Sequence, residues 1–175
     1  ILGCFNQFRN DPWDQYEMVE LAFQAERLDL GIAGGWQDQY ASIFGGFNFL
    51  EFKKDQNIVH PLRIQKDILL QLEESLLLCD TGIIHESGEI HSDQKEQMRE
   101  IDVSKLIKAN VKLCYEMRNQ LLRGVLKEFG ASLNDAWQAK RKFSSKISTP
   151  KLDHIYENAI KHGAAGGKLL GAGGG

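Results

Sequence analysis

The placement of glycine constrains this chain more than any other feature of its sequence. Of the 17 glycines, five fall between Gly31 and Gly46 and seven between Gly163 and Gly175. Clustering of this kind marks places where backbone takes positive φ or comes close to another group. The two clusters therefore divide the chain into blocks and are the candidate site. The last run, Gly171-Ala172-Gly173-Gly174-Gly175, has nothing that can bury apolar surface, and Ile1 is not an initiator Met. Both ends are therefore expected to continue.

The blocks between the glycines have readable periods. Asp11-Pro12 is a helix-start signal, with Asp11 as cap and Pro12 at the first helical position. Met18, Leu21, Ala22, Ala25 and Leu28 then form one apolar stripe, predicting a helix from about Pro12 to Asp29 that Gly31 ends. Phe47 to Phe52 reads as a strand, and Ile58 to Ile64 as its partner across the polar turn Lys53 to Asn57, with Pro61 demanding an edge or a bulge. Leu76-Leu77-Leu78-Cys79-Asp80 reads as a third strand, buried on both faces. Val103, Ile107, Val111, Cys114 and Leu121 share one helical face; Val125, Leu126, Phe129, Leu133 and Trp137 share another beyond Gly124. Together they predict a helical hairpin. Thr149-Pro150 opens a last helix lined by Leu152, Ile155, Tyr156 and Ala159 and closed by Gly163. Strands followed by helices give the α+β class.

Composition excludes several functions. With 21 Lys and Arg against 24 Asp and Glu, the net charge of -3 supplies no cationic field for a nucleic-acid backbone. No apolar stretch approaches the ~20 residues of a membrane helix. Three scattered cysteines without Cys-x-x-Cys spacing argue against a disulfide framework or thiolate zinc site, and Cys79 and Cys114 are expected in the core. A cytoplasmic protein is expected, without nucleic-acid or membrane partners. His85-Glu86-Ser87-Gly88-Glu89 lacks the second His of a metalloprotease helix, and with His91 it reads as a solvated polar segment.

The first glycine cluster carries the more suggestive chemistry. Leu30 to Tyr40 sets one carboxylate, Asp38, beyond a glycine turn and in the first turn of a short helix ending at Phe44, where negative charge is favoured and the glycines leave room for a ligand. The bland alternative makes Asp38 a helix cap and the glycines mere turns. Trp36 belongs to no stripe and reads either as a ligand-facing wall or as a local plug. In the terminal cluster, Gly166 to Gly175 could offer backbone N–H groups to an anion, with Lys168 adding charge; otherwise it is a flexible tail.

Several ordered motifs carry a resemblance. Ala22-Phe23-Gln24-Ala25-Glu26-Arg27, Gly34-Gly35-Trp36-Gln37-Asp38-Gln39-Tyr40, Phe44-Gly45-Gly46-Phe47-Asn48-Phe49-Leu50-Glu51-Phe52 and Gly167-Lys168-Leu169-Leu170-Gly171-Ala172-Gly173-Gly174-Gly175 resemble the GHMP small-molecule kinases. The resemblance runs from about Tyr16 onward. Within the family the chain is most similar to the branch acting on D-glycero-D-manno-heptose 7-phosphate. Gly-Gly-Trp-Gln-Asp-Gln is also similar to L-fucokinases, but Pro61-Leu62-Arg63-Ile64 and Asp80-Thr81-Gly82 favour the heptose branch.

The resemblance implies an ATP-dependent, Mg²⁺-requiring kinase of the anomeric hydroxyl of a sugar phosphate. By that resemblance Asp38 is the catalytic carboxylate and Glu26 a Mg²⁺ ligand. It also implies that Gly34, Gly35, Trp36 and Gln37 contact sugar, and that Gly171, Gly173, Gly174 and Gly175 form a loop near the nucleotide and substrate. A phosphorylated sugar needs a cation at its far end, for which Arg63 and the Lys140-Arg141-Lys142 run are the candidates, although a basic run on a helix is more often a solvated face. The resemblance further implies a Gly- and Ser-rich phosphate loop upstream of Ile1 and a strand beyond Gly175. On this expectation residues 1–64 end the N-terminal domain and residues 65–175 form most of a ferredoxin-like C-terminal domain, the portion being inactive by itself. The alternatives are an L-fucokinase-like sugar 1-kinase and a non-catalytic sugar-binding fragment.

Overall fold

The computed structural model describes residues 1–83, 103–171, 173 and 174. The chain divides into two compact units, Ile1–Leu62 and Arg63–Gly175. Helices and one small sheet give the α+β class. Among the described residues no helix is long and apolar enough to cross a membrane. The segment with His85, Glu86, Glu89 and His91 lies outside the described residues, as does Gly175.

In the first unit, α1 (Leu2–Arg9) precedes α2 (Gln15–Phe23). The cap of α2 is Asp14 rather than the expected Asp11: its carboxylate accepts from the Glu17 N–H at 2.9 Å, and the Glu17 carboxylate accepts from the Asp14 N–H at 2.8 Å. This reciprocal pair satisfies two orphan donors, an arrangement unavailable to Asp11, which pairs with Arg9 instead. The chain continues from α2 into a wide π-helical turn, Gln24–Asp29. There the predicted stripe fails. The extra residue per turn rotates the face, so Ala25 and Leu28 become exposed while Glu26 and Arg27 turn inward.

After the glycines, α3 (Gln37–Phe44) leads to β1 (Asn48–Phe52) and β2 (Asn57–Pro61), an antiparallel pair in which Leu50 faces Val59 and Asn48 faces Pro61. Pro61 stands at the strand end, where the missing N–H interrupts no ladder. Val19 and Tyr40 are buried. Around Tyr40, Phe44 stacks at 5.8 Å and Phe52 packs edge-on at 5.3 Å, which fixes α3 by its apolar face.

The second unit contains α4 (Lys66–Ser75), the hairpin of α5 (Val103–Arg123) and α6 (Leu126–Lys140), and α7 (Pro150–Lys161). The hairpin turns at Gly124, whose φ of 70° suits glycine. Thr149 caps α7 through the Leu152 N–H with Pro150 at its start, and Gly163 follows its end at a φ of 100°. The unit is centred on Trp137, 2% exposed, packed with Ile147, Phe143, Tyr156 and Leu169. Truncating such a tryptophan to alanine costs about 3–5 kcal/mol.

Two expectations fail in this unit. Residues 76–80 form no strand, and Leu77 is 96% exposed, because an apolar run becomes a strand only where a neighbour accepts its backbone hydrogen bonds. Cys79 and Cys114 are exposed rather than core residues, as is Cys4. Ile107 and Val111 of the α5 stripe are exposed too, and Ala159 near the end of α7 lies outside the packed face.

Candidate active site

The first unit assembles a charged cluster at the glycine turn. The π-helical turn presents Glu26 and Arg27 side by side, and the chain folds back through Gly31, at φ 67°, to bring Gly34, Gly35 and the start of α3 against them. The Arg27 side chain is 8% exposed. Its terminal nitrogens lie 3.3 Å from Glu26 Oε1 and 3.5 Å from Asp38 Oδ2, and its Nε donates to the Gly35 carbonyl at 3.3 Å. Both carboxylates stay accessible: the Asp38 side chain is 71% exposed and that of Glu26 42%.

Asp38 sits in the first turn of α3, where the unpaired N–H groups and the helix dipole favour a carboxylate. Trp36 at the N-cap position supplies no side-chain cap. Ser42 donates its hydroxyl to the Asp38 carbonyl at 2.7 Å, which leaves the carboxylate itself untouched. Gly34 is bare for a steric reason, since a Cβ there would lie 2.4 Å from Arg27 Cζ.

The Trp36 ring stacks on Phe23 with centroids 3.5 Å apart and planes 5° from parallel, and its edge meets Tyr40. Trp36 thus joins the end of α2 to α3 while remaining half-buried. Gln37 is exposed, and the next amide, Gln39, is buried and donates to Glu26 Oε2 at 2.5 Å. Among the described residues the buried Oε1 of Gln39 has no partner.

For a divalent cation the donor chemistry fits. Mg²⁺ takes hard oxygens and is commonly held by one or two carboxylates with water and substrate phosphates. Glu26 is such a carboxylate, and the orphaned Gln39 oxygen belongs to the amide bonded to it. Among the described residues no group of three or more His, Cys, Asp or Glu could cage a metal alone.

The terminal glycines lie in the second unit. Gly171, Gly173 and Gly174 take φ values of 68°, 135° and 85°, which need glycine. The Gly174 N–H donates to the Ile147 carbonyl at 2.9 Å, and a Cβ on Gly173 would lie 3.0 Å from Ile147 Cα. One amide of the expected anion cradle is therefore bonded within the fold. Lys140, at the end of α6, donates to the Leu169 carbonyl at 3.4 Å and to the Gly171 carbonyl. Burial, with the nearby charge of Lys168, lowers its pKa from 10.5 to about 8. Arg141 pairs with Asp153 at 3.0 Å. Two members of the basic run expected to meet a substrate phosphate thus have partners in their own unit.

Arg27 is the residue that sequence reasoning missed, and the tie of Lys140 to the terminal glycine loop was not foreseen. Arg27 followed Glu26 in a motif without a role of its own, and only its fold-back onto Gly34 and Asp38 makes it the hub of the cluster. Lys140 read as a candidate for the substrate phosphate or as part of a solvated face.

Both units of the chain match domains of known kinases. The GHMP kinases N terminal domain matches residues 1–46, and the GHMP kinases C terminal domain matches residues 117–175. The D-glycero-alpha-D-manno-heptose 7-phosphate kinase of Campylobacter jejuni is 37% identical over all of this chain and 52% of its own length. The L-fucokinase/L-fucose-1-P guanylyltransferase of Bacteroides fragilis is 28% identical over all of this chain and 19% of its own. A solved D-glycero-D-manno-heptose 1-phosphate kinase from Bacteroides thetaiotaomicron superposes with a TM-score of 0.67 at 33% identity, covering 97% of this chain and 46% of that one. The chain belongs to the GHMP kinase family. It spans about half the length of the heptose kinases it matches.

Proposed function

We propose that the polypeptide carrying this chain is an ATP-dependent kinase that phosphorylates the anomeric hydroxyl of D-glycero-D-manno-heptose 7-phosphate. The observation that carries the reading is the exposed Asp38 carboxylate at the start of α3, with one oxygen 3.5 Å from the buried Arg27 guanidinium. Phosphoryl transfer asks little covalent chemistry of a protein: in-line positioning of the nucleophile and neutralisation of charge on the transferred group. Asp38 is placed to accept a hydrogen bond from the sugar hydroxyl and to take its proton, a role that contributes ~10²- to 10⁴-fold.

Glu26 would hold Mg²⁺, which when bound neutralises negative charge on the nucleotide phosphates. Gly34 and Gly35 keep the approach to Asp38 low, and exposed Gln37 is available to a sugar hydroxyl. Gly171, Gly173, Gly174 and Gly175 are assigned to the loop that closes near nucleotide and substrate, with the Gly174 amide excluded from direct phosphate contact. A cytoplasmic location accompanies this reading.

The heptose preference rests on the 37% identity to the Campylobacter kinase over the whole chain. A second reading, an L-fucokinase-like sugar 1-kinase, is favoured by the 28% identity to the Bacteroides protein. The two differ at the far end of the sugar, where the heptose phosphate demands a cation and the fucose methyl does not. Steady-state kinetics on the complete polypeptide separates them. The heptose reading requires kcat/KM for the heptose 7-phosphate to exceed that for L-fucose by ~10²-fold or more, since a lost charge-assisted contact is worth several kcal/mol. Equal or greater kcat/KM for L-fucose would promote the second reading.

A further inference from the structure

We propose that Arg27 is the positioning residue of this site, its guanidinium fixing the Asp38 carboxylate so that one oxygen is anchored and the other faces the substrate hydroxyl. The inference rests on reading Asp38 as the base.

Exposure is distributed unevenly in the cluster. The cation is enclosed, at 8% exposure, whereas the carboxylates it touches are open to solvent at 71% and 42%. A buried ion pair serving only the fold would enclose both partners. Here the guanidinium forms the floor beneath two acids, of which Asp38 is the more open, paired through one oxygen only while Glu26 also accepts from Gln39.

The contacts also converge from separate pieces of chain. Glu26 comes from the π-helical turn, the Gly35 carbonyl from the glycine turn, and Asp38 from α3. A planar guanidinium with five donors in fixed directions can bond all three at once, whereas an ammonium on a flexible stem cannot hold the same directions. An aspartate as exposed as Asp38 otherwise samples several rotamers, and an anchor on Oδ2 confines it while leaving Oδ1 for the reacting hydroxyl.

Gly34 supplies an independent sign. All three atoms nearest to a Cβ built there belong to the Arg27 guanidinium, at 2.4, 2.6 and 2.7 Å. The position thus serves as a seat for the arginine.

The test is a double-mutant cycle in the complete polypeptide, comparing wild type, Arg27→Gln, Asp38→Asn and the double variant, each checked for folding by thermal denaturation. Arg27→Gln is expected to lower kcat about 30-fold while the KM values for ATP and sugar change less than about threefold, because orientation of the base is lost and not binding. Added to Asp38→Asn, it should lower kcat no further, since the carboxylate that it orients as a base is already gone. Guanidinium ion in the assay should restore part of the activity of Arg27→Gln and none of that of Asp38→Asn.

A kcat within twofold of wild type for folded Arg27→Gln overturns the proposal, and so does a full multiplicative loss on the Asp38→Asn background, which marks a purely structural part. If Arg27→Gln does not fold, Arg27→Lys decides: it keeps the charge but not the fork, and wild-type kcat in that variant overturns the proposal. An unaltered kcat in Asp38→Asn itself removes the base, and the Arg27 inference falls with it. Loss in Asp38→Asn with none in Arg27→Gln leaves the base standing and removes only the inference.

Discussion

Replacing Gly34 with alanine disturbs the charged cluster without removing any of its charged groups. The backbone there has an ordinary φ, so alanine adds no torsional strain and by reducing freedom of the unfolded chain contributes about 0.4–1 kcal/mol of stability. Its Cβ, however, would stand 2.4 Å from Arg27 Cζ. Ordinary carbon contacts lie at about 3.5–4.0 Å, so the guanidinium must retreat by roughly 1 Å. The contact to Asp38 starts at 3.5 Å and that to Gly35 at 3.3 Å, so such a retreat breaks both. Exposed ion pairs are worth about 0.2–1 kcal/mol each, and the charged hydrogen bond to Gly35 about 1.5–3 kcal/mol. Offset by the alanine gain, the net loss of stability is about 1–3.5 kcal/mol, a shift of several degrees in Tm. The effect on turnover is larger, because a base displaced by roughly 1 Å loses about tenfold or more in kcat. Thermal denaturation and initial-rate ADP release on the same preparation measure both. A Gly34→Ala enzyme with wild-type kcat, in a structure where Arg27 still touches Asp38, would refute the reasoning.

Two further outcomes follow from named groups. Glu26→Gln is expected to keep the fold and raise the Mg²⁺ concentration for half-maximal rate about tenfold or more, since a neutral amide is a weaker donor to a hard cation; an unchanged magnesium titration removes the metal role. The Lys140 amine is expected to titrate near pH 8 in the folded chain, well below the ordinary 10.5, followed by NMR of the methylated lysines. Because its folded pKa lies below the ordinary 10.5, the stability tied to neutral Lys140 is fully present above about pH 10.5 and is lost as pH falls through about 8. A Lys140 midpoint at the ordinary 10.5 contradicts the burial argument.

Where sequence and structure agree, the signal is local. Thr149 followed by Pro150, the apolar face ending at Trp137, and the turn between Phe52 and Asn57 each specify their element within a few residues. The N-cap of α2 was misplaced because Asp11-Pro12 and Asp14 are both plausible starts, and only Glu17, three residues beyond Asp14, completes a reciprocal pair. The π-helical turn was invisible because one extra residue per turn leaves composition unchanged and alters only which side chains face inward. Leu76-Leu77-Leu78 carried the pattern of a buried strand without information about a neighbour to pair with.

The candidate site divides along the same line. Asp38 at a helix start was legible from the glycine turn before it. The Phe23–Trp36 stack and the Arg27 contacts to Gly34, Gly35 and Asp38 were not, because they join residues 7 to 13 apart across a fold-back whose direction depends on the π-helical turn. The glycine loop was legible as a place of positive φ, but its tie to Ile147 depends on tertiary packing.

The central claim is that Asp38 acts on the sugar hydroxyl, and Asp38→Asn in the complete polypeptide tests it most directly. The side chain is 71% exposed and the amide has nearly the same shape, so the fold and the affinity for ATP should be retained. Single-turnover and steady-state ADP release should fall by ~10²-fold or more in kcat, because the amide cannot take the proton. A folded Asp38→Asn enzyme with near-wild-type kcat would contradict the account and leave Asp38 as part of a helix terminus.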